Sequence, residues 1–276
     1  LDQLRPPDVA PLGLDGLDVF CHGIHCRLIF LGVVVVQAGI FRLDITRCVI
    51  IRGQAALGQE HDGVQLSIAR SAAAYGMPLI GIKHGYNGLL RKSTSIKDDL
   101  QELYLDTVLD IADQPGTYLR TARCEEFKDP KWREIAVQTL KAMEIDGLVV
   151  IGGDGSFQGA MRLCELGIPC IGIPGTIDND LAYTEMTLGY ETAVQVCTEA
   201  IRAIRATSRS HDRPHVVECM GRHCGDIALK AACATGSEIV VVPEVPWSVE
   251  EVASRLNKQI AKGNYRSTIV LAEGCW

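Results

Sequence analysis

The sequence predicts an α/β fold in which helices cover both faces of mostly parallel sheets. Strand-like and helix-like segments alternate at short intervals from about Gly63 onward. Glycine-rich turns separate many of these segments, and such β-α-β alternation is typical of a parallel sheet. The alternation continues through the second half of the sequence, so we expect a second α/β unit after the first.

Residues 63–187 are predicted to form the first of these domains. A helix is expected over residues 64–75, because Gly76 follows a helical pattern as a stop signal. A strand over residues 77–82 comes next and leads into the turn-rich HGYNG. The remaining elements predicted here are a helix over 131–143, a strand over 147–151, a helix over 157–166 and a strand over 169–173.

Residues 188–276 are predicted to form the second domain, which stops abruptly. Its expected helices cover residues 191–205, 225–234 and 249–262. Its expected strands cover residues 215–218, 239–242 and 267–272. Both domains are therefore predicted to be Rossmann-like, with the second one incomplete.

Residues 1–62 differ from the rest and are assigned no fold. They contain apolar runs without helical or alternating period and lack a clearly capped helix. They are either an accessory segment or not the natural start of the domain, and the lack of an opening methionine favours the second interpretation. CHGIHC, at residues 21–26, matches no spacing that closes a tetrahedral metal site, so we interpret it as structural or accidental.

Composition narrows the classes of function. The chain has 276 residues, 47% of them hydrophobic and 22% charged, as expected of a soluble globular protein. Its net charge of -7 disfavours nucleic acid and anionic membranes as partners. The longest apolar run, residues 28–41, is too short to span a bilayer, and the start does not resemble a signal peptide. Eleven cysteines without a paired framework predict a reduced, cytoplasmic setting.

A glycine turn follows the predicted strand at residues 147–151. In IGGDGS, Gly152 and Gly153 allow the backbone to approach a phosphate, and the helix expected just after Ser156 offers its positive end. Asp154 is then a candidate Mg²⁺ ligand, because this ion takes one or two carboxylates together with phosphate oxygens. The alternative is an ordinary β-α turn in which Asp154 caps the helix.

A second polar stretch, PGTIDND, follows the next parallel strand. Both turns are expected at one edge of the sheet, where open α/β sheets bind ligands. In an extended loop Asp178 and Asp180 would point the same way, so that one accepts a proton while the other orients a metal or partner. Phosphoryl transfer requires such a base together with a cation. The alternative is an Asx-turn that only closes a loop.

Several motifs together resemble the 6-phosphofructokinase family. They are GGDGS, PGTIDND, TLGYETA, SHDR, ECMGRHCGDIAL and LAEG, and they span roughly residues 63–274 in the family's order. GGDG also occurs in related lipid and NAD kinases, whereas PGTIDND with MGR is more restrictive. The resemblance implies the bacterial, ATP-dependent type, which transfers the γ-phosphoryl group of ATP to the 1-hydroxyl of fructose 6-phosphate in glycolysis, with Mg²⁺ as cofactor.

Two other functions stay open beside this one. The chain could be a catalytically silent family fragment that binds nucleotide or a partner chain. It could also be a pyrophosphate-dependent or other sugar-phosphate kinase. In pyrophosphate-using relatives the two motifs resemble GGDDS and PKTIDND. This sequence has Gly155 in place of the second aspartate of the first motif and Gly175 in place of the lysine of the second. Glycine leaves room for the nucleotide, so the resemblance favours ATP.

The resemblance also implies roles for individual residues. Asp178 would be the general base, Asp154 would hold Mg²⁺, and Arg123 would stabilise the migrating phosphoryl group. The other catalytic candidates are Thr176, Asp180 and Arg222. The nucleotide site would comprise Tyr86, Arg123, Gly153, Asp154, Gly155, Ser156 and Gly159. The sugar-phosphate site would comprise Thr176, Asp178, Arg213, Met220, Gly221, Arg222 and Glu273.

Arg213 corresponds to a family residue that reaches into a neighbouring subunit, which implies a homo-oligomer, either a dimer or a tetramer. Arg70, Arg205 and Glu238 fall where bacterial relatives bind an effector. Leu66 stands where a further arginine is expected, so the resemblance does not support allosteric control. Arg202 and Arg209 are interpreted as a solvated helix face.

Two departures from the family pattern lead to structural expectations. Around residues 55–62, AALGQEHD replaces the family's glycine-rich SGGDAPGMN loop, and the family continues past Trp276. We therefore expect the first sheet to lack a strand beside the nucleotide. We also expect the second domain to leave apolar helix faces uncovered.

Overall fold

The computed structural model describes residues 48–52, 60–90, 99–111 and 117–275. The CHGIHC stretch and the apolar run at residues 28–41 lie outside these ranges. The strands are β1 (Cys48–Arg52), β2 (Leu79–Ile82), β3 (Leu100–Glu102), β4 (Gly147–Gly152), β5 (Cys170–Pro174), β6 (His215–Cys219), β7 (Ile239–Val241) and β8 (Thr268–Ala272). The α-helices are α1 (Glu60–Ala74), α2 (Leu105–Leu109), α3 (Pro130–Ala142), α4 (Asp154–Glu165), α5 (Tyr190–His211), α6 (Asp226–Thr235) and α7 (Val249–Ala261). Short 3-10 helices lie at Gly85–Leu89, Glu125–Lys128 and Glu273–Cys275.

Within these ranges the strands form a five-stranded and a three-stranded sheet. The first has the order β3-β2-β1-β4-β5, and the second has the order β6-β8-β7. All neighbouring strands run parallel except β2 and β3, which are antiparallel. The predicted α/β class is therefore confirmed, whereas the antiparallel strand β3 was not predicted.

The centre of the first sheet is a strand that the sequence analysis did not assign. β1 pairs in parallel with β2 on one side and β4 on the other, with Cys48 opposite both Leu79 and Gly147. The expectation that this sheet lacks a strand beside the nucleotide is therefore wrong. The segment CVIIR is too short to show a period of its own, but its β-branched residues suit a strand flanked on both sides.

The remaining predicted helices and strands are found within a few residues of their expected bounds. The largest differences are that α1 begins at Glu60, inside the stretch given no fold, and that α5 continues to His211, six residues past its predicted end at Arg205. The predicted stop at Gly76 is consistent with its positive φ of 64°. Gly189, with a φ of 96°, precedes α5 as its N-cap.

The cores lie on both faces of each sheet, because alternate strand residues point to opposite sides. In the first sheet, Leu148 and Val150 pack towards α3 and α4, whereas Val149 and Ile151 pack towards α1. In the second sheet, Val270 faces α5 and α6. The opposite face packs against α7 through residues that include Leu256.

The division into domains at residue 187 stays a prediction, and Ile177 packs into the core of the second sheet. Parts of the apolar surface of residues 188–275 are open in this structure. No residue of α7 is fully buried, and Val216 on the edge strand β6 is 63% exposed. Across the described ranges, no helix has the length and apolar character needed to cross a membrane.

Candidate active site

The glycine turn lies between β4 and α4. Gly153 is the N-cap, and its carbonyl accepts hydrogen bonds from the N–H groups of Ser156 (3.0 Å) and Phe157 (3.1 Å). The helix therefore begins at Asp154, earlier than predicted, and Asp154 is its first residue rather than its cap. Gly153 has the extended backbone of an N-cap residue, and its carbonyl accepts the first hydrogen bonds of the helix. The helix can therefore begin at the next residue, Asp154.

Asp154 presents an exposed carboxylate at the positive end of α4. Gln158, one turn along the helix, donates to its Oδ2 from 3.5 Å, which is a weak contact. A Cβ added at Gly155 would meet no heavy atom within 4 Å. The start of α4 is therefore open to a bulky anionic ligand.

The glycine turn contacts the loop that follows β5, which we call the acid loop (residues 175–187). The N–H of Gly175 donates to the carbonyl of Gly152 at 3.0 Å. A Cβ added at Gly153 would lie 3.4 Å from the Cβ of the buried Thr176. The predicted convergence of the two turns is confirmed.

The acid loop is not extended as the sequence analysis assumed. Asn179, between the two aspartates, has a φ of 53°, in the left-handed region. Its Oδ1 accepts a hydrogen bond from the N–H of Thr187 at 3.0 Å, so the side chain closes the loop across eight positions rather than through the two-residue bond of an Asx-turn. Asp178 and Asp180 remain close enough for the charge of Asp180 to influence Asp178.

The surroundings of Asp178 shift the pKa of its carboxyl. Partial burial, followed by the negative charge of Asp180, raises the pKa of its carboxyl above the ordinary value. The positive charge of Arg222 and a hydrogen bond from Thr176 act in the opposite direction and only partly offset the rise. The carboxyl is therefore both accessible and a stronger base than an exposed aspartate.

Arg222 reaches the acid loop from the turn between β6 and α6. Its Nη1 lies 3.8 Å from Oδ2 of Asp180, and its side chain is 55% exposed. The carboxylate of Glu273 accepts hydrogen bonds from the N–H groups of Gly221 (3.3 Å) and Arg222 (2.5 Å). A Cβ at Gly221, whose φ is 146°, would lie 2.5 Å from the carbonyl oxygen of Cys224, so this turn requires glycine.

Three residues assigned to the nucleotide site, Tyr86, Ser156 and Gly159, pack together at the first turns of α4. The hydroxyl of Tyr86 donates to the carbonyl of Ser156 at 2.6 Å, and a Cβ at Gly159 would come within 2.6 Å of its ring. Tyr86 also stacks on Phe127 with the ring centroids 4.2 Å apart. Because Tyr86 is buried, which raises the pKa of its phenol, it supports the helix start rather than lying open to a ligand.

Arg123, Met220 and Arg213 are exposed in this structure. The carbonyl of Arg123 accepts a hydrogen bond from Asn87 at 3.0 Å, which ties its loop to the 3-10 helix that carries Tyr86. Arg213 follows α5 directly, and its carbonyl bonds to the ring of His215. The exposure of Met220 and Arg213 leaves both side chains accessible from solvent.

The candidate effector residues lie in different surroundings: Arg205 and Glu238 are paired with each other, whereas Arg70 is exposed. Arg205 makes a two-pronged ion pair with Glu238, at 3.0 and 3.3 Å. Although burial raises the pKa of Glu238, its bonds to Arg205 and to the N–H of Thr268 lower it below the ordinary value overall. Arg70, Arg202 and Arg209 are exposed, as predicted for the last two.

Sequence reasoning did not identify the contact between the acid loop and α6. Nδ2 of Asn179 donates to Oδ2 of Asp226 at 3.2 Å. The only local signal was the asparagine of DND, whose type is common in left-handed turns. Its partner 47 positions away could not be inferred from a local pattern.

The donor set fits a metal ion that arrives with phosphate. No group of three or more His, Cys, Asp or Glu side chains in the described part of the chain could hold a metal ion. A single exposed carboxylate at a helix start suits Mg²⁺, which keeps waters and takes its other ligands from substrate phosphates. Asp154 therefore fits its predicted role as the protein's contact to such an ion.

A family model described as phosphofructokinase matches residues 63–276. The chain belongs to the phosphofructokinase family. It is 53% identical over 208 residues to an ATP-dependent 6-phosphofructokinase of Clostridioides difficile and 48% identical to one of Alkaliphilus metalliredigens. Each alignment covers 75% of this chain and 63% of the relative, so the chain spans less than two thirds of these relatives.

The fold agrees with this membership of the phosphofructokinase family. The crystal structure of Pichia pastoris phosphofructokinase in the T-state superposes with a TM-score of 0.74 at 30% identity. The superposition covers 83% of this chain and 26% of that one. The parallel α/β sheets and their covering helices are therefore those of the family.

Proposed function

We propose that this chain catalyses the transfer of the γ-phosphoryl group of ATP to the 1-hydroxyl of fructose 6-phosphate, which yields fructose 1,6-bisphosphate and ADP. One observation carries the proposal. The half-buried Asp178, with its raised pKa, lies on a loop that contacts the glycine turn on one side and Arg222 on the other. A base between a phosphate-binding helix start and a second cationic region is the arrangement that this reaction requires.

In this proposal the proton of the sugar 1-hydroxyl moves to the carboxylate of Asp178. The hydroxyl oxygen then bonds to the γ-phosphorus while the bond from that phosphorus to the bridging oxygen breaks, and ADP leaves. A raised pKa makes the carboxylate of Asp178 a stronger base. The N–H of Asp178 donates to Oγ1 of Thr176 at 3.2 Å, which helps to hold Asp178 in place.

The nucleotide would bind with its phosphates at the start of α4. The positive end of α4 and the open space at Gly155 favour a phosphate chain there. Asp154 would hold Mg²⁺, which when bound neutralises charge on the phosphate oxygens. Arg123 would supply a further positive charge to the group in transfer.

The sugar phosphate would bind against the turn that carries Met220, Gly221 and Arg222. Glu273 holds the backbone of this turn and lies near enough to Asp178 for its charge to act on that carboxyl. We infer that Arg213, exposed beside the end of α5, serves the site of a neighbouring subunit in a homodimer or homotetramer. We also infer a cytoplasmic location, because the eleven cysteines of the sequence show no paired framework.

An assay of the purified chain tests the proposed reaction. Fructose 1,6-bisphosphate formation would be measured with ATP, fructose 6-phosphate and Mg²⁺ for the wild type and for Asp178→Asn. Loss of a general base predicts a decrease in kcat of roughly 10³-fold for the variant. Equal background in the two proteins would contradict the proposal and favour a catalytically silent fragment.

Replacing ATP by pyrophosphate distinguishes the phosphoryl donors. Pyrophosphate-using relatives resemble the motif GGDDS, which has an aspartate at the position of Gly155. Here Gly155 leaves that space open for the larger nucleotide, so we expect product only with ATP. Faster turnover with pyrophosphate than with ATP would overturn the choice of donor while leaving the role of Asp178 intact.

A further inference from the structure

The side chain of Asn179 makes two hydrogen bonds within the acid loop and one to α6. Its Oδ1 accepts from the N–H of Thr187 at 3.0 Å, and its Nδ2 donates to Asp226 at 3.2 Å and towards the carbonyl of Glu185 at 3.4 Å. Its side chain is partly buried between these partners. The donor and acceptor atoms of the amide are therefore both in use.

The partner Asp226 belongs to the second domain. It is the first residue of α6, where its negative charge is favoured by the helix end. The acid loop is thus attached on both sides, through the Gly175 to Gly152 bond to the first sheet and through Asn179 to α6. Asp178 lies between these two attachments.

The backbone at Asn179 supports the same interpretation. A φ of 53° is uncommon for a residue other than glycine, and asparagine tolerates it because its side chain can bond locally. The left-handed turn directs the chain between Asp178 and Asp180. Without the side-chain bonds, other backbone conformations of this turn would compete.

We propose that Asn179 is a positioning residue that sets the place of Asp178 between the two substrates by fastening the acid loop to Asp226. This inference rests on the proposed phosphoryl transfer, because the consequence for catalysis presupposes that Asp178 is the base. Asn179 itself need not touch either substrate. It acts through the geometry of its neighbour in the sequence.

Amide hydrogen exchange tests the fastening without reference to activity. In Asn179→Gly, which keeps the left-handed conformation, we expect the N–H of Thr187 to exchange faster because its acceptor is gone. The matched control is Tyr183→Gly, since Tyr183 lies in the same loop, also has a positive φ (61°) and is 73% exposed. Unchanged exchange at Thr187 in Asn179→Gly would overturn the proposal.

Steady-state kinetics test the consequence for Asp178. A small displacement of a reacting group costs on the order of 100-fold in rate, so Asn179→Gly should lower kcat by about that factor with little change in KM. Tyr183→Gly should stay close to the wild type. Equal kcat values for the two variants would contradict the positioning role even if the wild type is active.

An exchange of the two side chains provides a rescue experiment. Asn179→Asp places two carboxylates against each other, because Asp226 then faces an acid instead of an amide donor. Adding Asp226→Asn restores a donor and acceptor in reversed order, and we expect kcat to recover by about tenfold relative to the single variant, as expected for side chains in direct contact. No recovery would show that the contact is not what positions the loop.

The outcomes separate this proposal from the proposed reaction. An inactive wild type would overturn phosphoryl transfer and with it the catalytic consequence, whereas faster Thr187 exchange in Asn179→Gly would still support the fastening of the loop. An active wild type with no difference between the glycine variants would overturn the positioning role alone.

Discussion

The glycine turn after β4 and the acid loop after β5 lie side by side but are built differently. Around the glycine turn, Asp154 is exposed, its contact to Gln158 is long, and Gly155 has open space around it. In the acid loop, Thr176 is buried and Asn179 bonds both to Thr187 of the loop and to Asp226 of α6. One loop offers backbone groups and space, whereas the other holds side chains in place.

The difference follows from what each loop would bind. Phosphate groups can be bound by a helix start and an arriving cation, so the receiving loop gains from openness. A base must be held in a defined position and in a partly dehydrated environment, which requires fixed partners. The two loops can be tested separately because a change in each one should affect a different kinetic quantity.

After Asp178→Asn, the largest effect is expected from neutralising the exposed carboxylate of the glycine turn. Asp154→Asn should lower turnover by roughly 100-fold or more, because the cation loses its protein contact. Since the ion also binds the nucleotide phosphates, the loss should be partly recovered by raising the Mg²⁺ concentration. Turnover measured across a Mg²⁺ titration checks this.

Asp178→Asn is the matched comparison for that titration. This variant lacks the proton acceptor, so added Mg²⁺ should not restore its turnover. If added Mg²⁺ restored the turnover of both variants equally, this would contradict the different roles given to the glycine turn and the acid loop.

A smaller effect is expected from filling the open space at Gly155. Gly155→Asp should raise the KM for ATP about 10- to 100-fold, because its carboxylate would repel the phosphates. The KM for fructose 6-phosphate should change little. The control is Gly63→Asp, where an added Cβ also meets no atom within 4 Å. A similar KM for ATP in both variants would argue against phosphate binding at this turn.

The pH dependence of turnover sharpens the description of the acid loop. Asp178 must be ionised to accept a proton, so activity falls as the pH drops through its raised pKa. Asp180→Asn removes a negative neighbour and should lower the pKa, which shifts the acid limb to lower pH. Arg222→Met removes a positive neighbour and should shift the limb to higher pH.

Rate profiles at saturating substrate measure these opposite shifts. Glu165→Gln is the control, because it removes an exposed acid at the far end of α4, where Glu165 pairs with Arg162. Shifts of the same sign for Asp180→Asn and Arg222→Met would contradict the electrostatic account of Asp178.

The smallest effects are expected outside both loops and on stability alone. Arg205→Met removes a largely buried, two-pronged pair with Glu238 and should lower the free energy of unfolding by about 2 kcal/mol. Lys230→Met removes an exposed pair with Glu191 and should cost less than about 0.5 kcal/mol. Denaturant unfolding distinguishes the two, and turnover should stay near wild type in both. Equal costs would show that burial of the Arg205 pair is unimportant.

The order of most helices and strands could be predicted because each of these is encoded in a local pattern, whereas β1, β3 and α2 were not predicted. The apolar strand ending in Gly152 and the stop at Gly76 are readable within a few residues. Motifs such as PGTIDND likewise lie within one loop, and they led to Asp178 and to the family. What lay within one helix, strand or turn was therefore available from the sequence alone.

Only the tertiary structure determined how these pieces meet. β1 became recognisable as a strand through its neighbours β2 and β4, and Tyr86 turned out to be buried under α4 rather than open to a ligand. The raised pKa of Asp178 and the bond from Asn179 to Asp226 join positions far apart in the chain. Burial and charge at a site depend on the sum of such distant contacts, which no local pattern of residues contains.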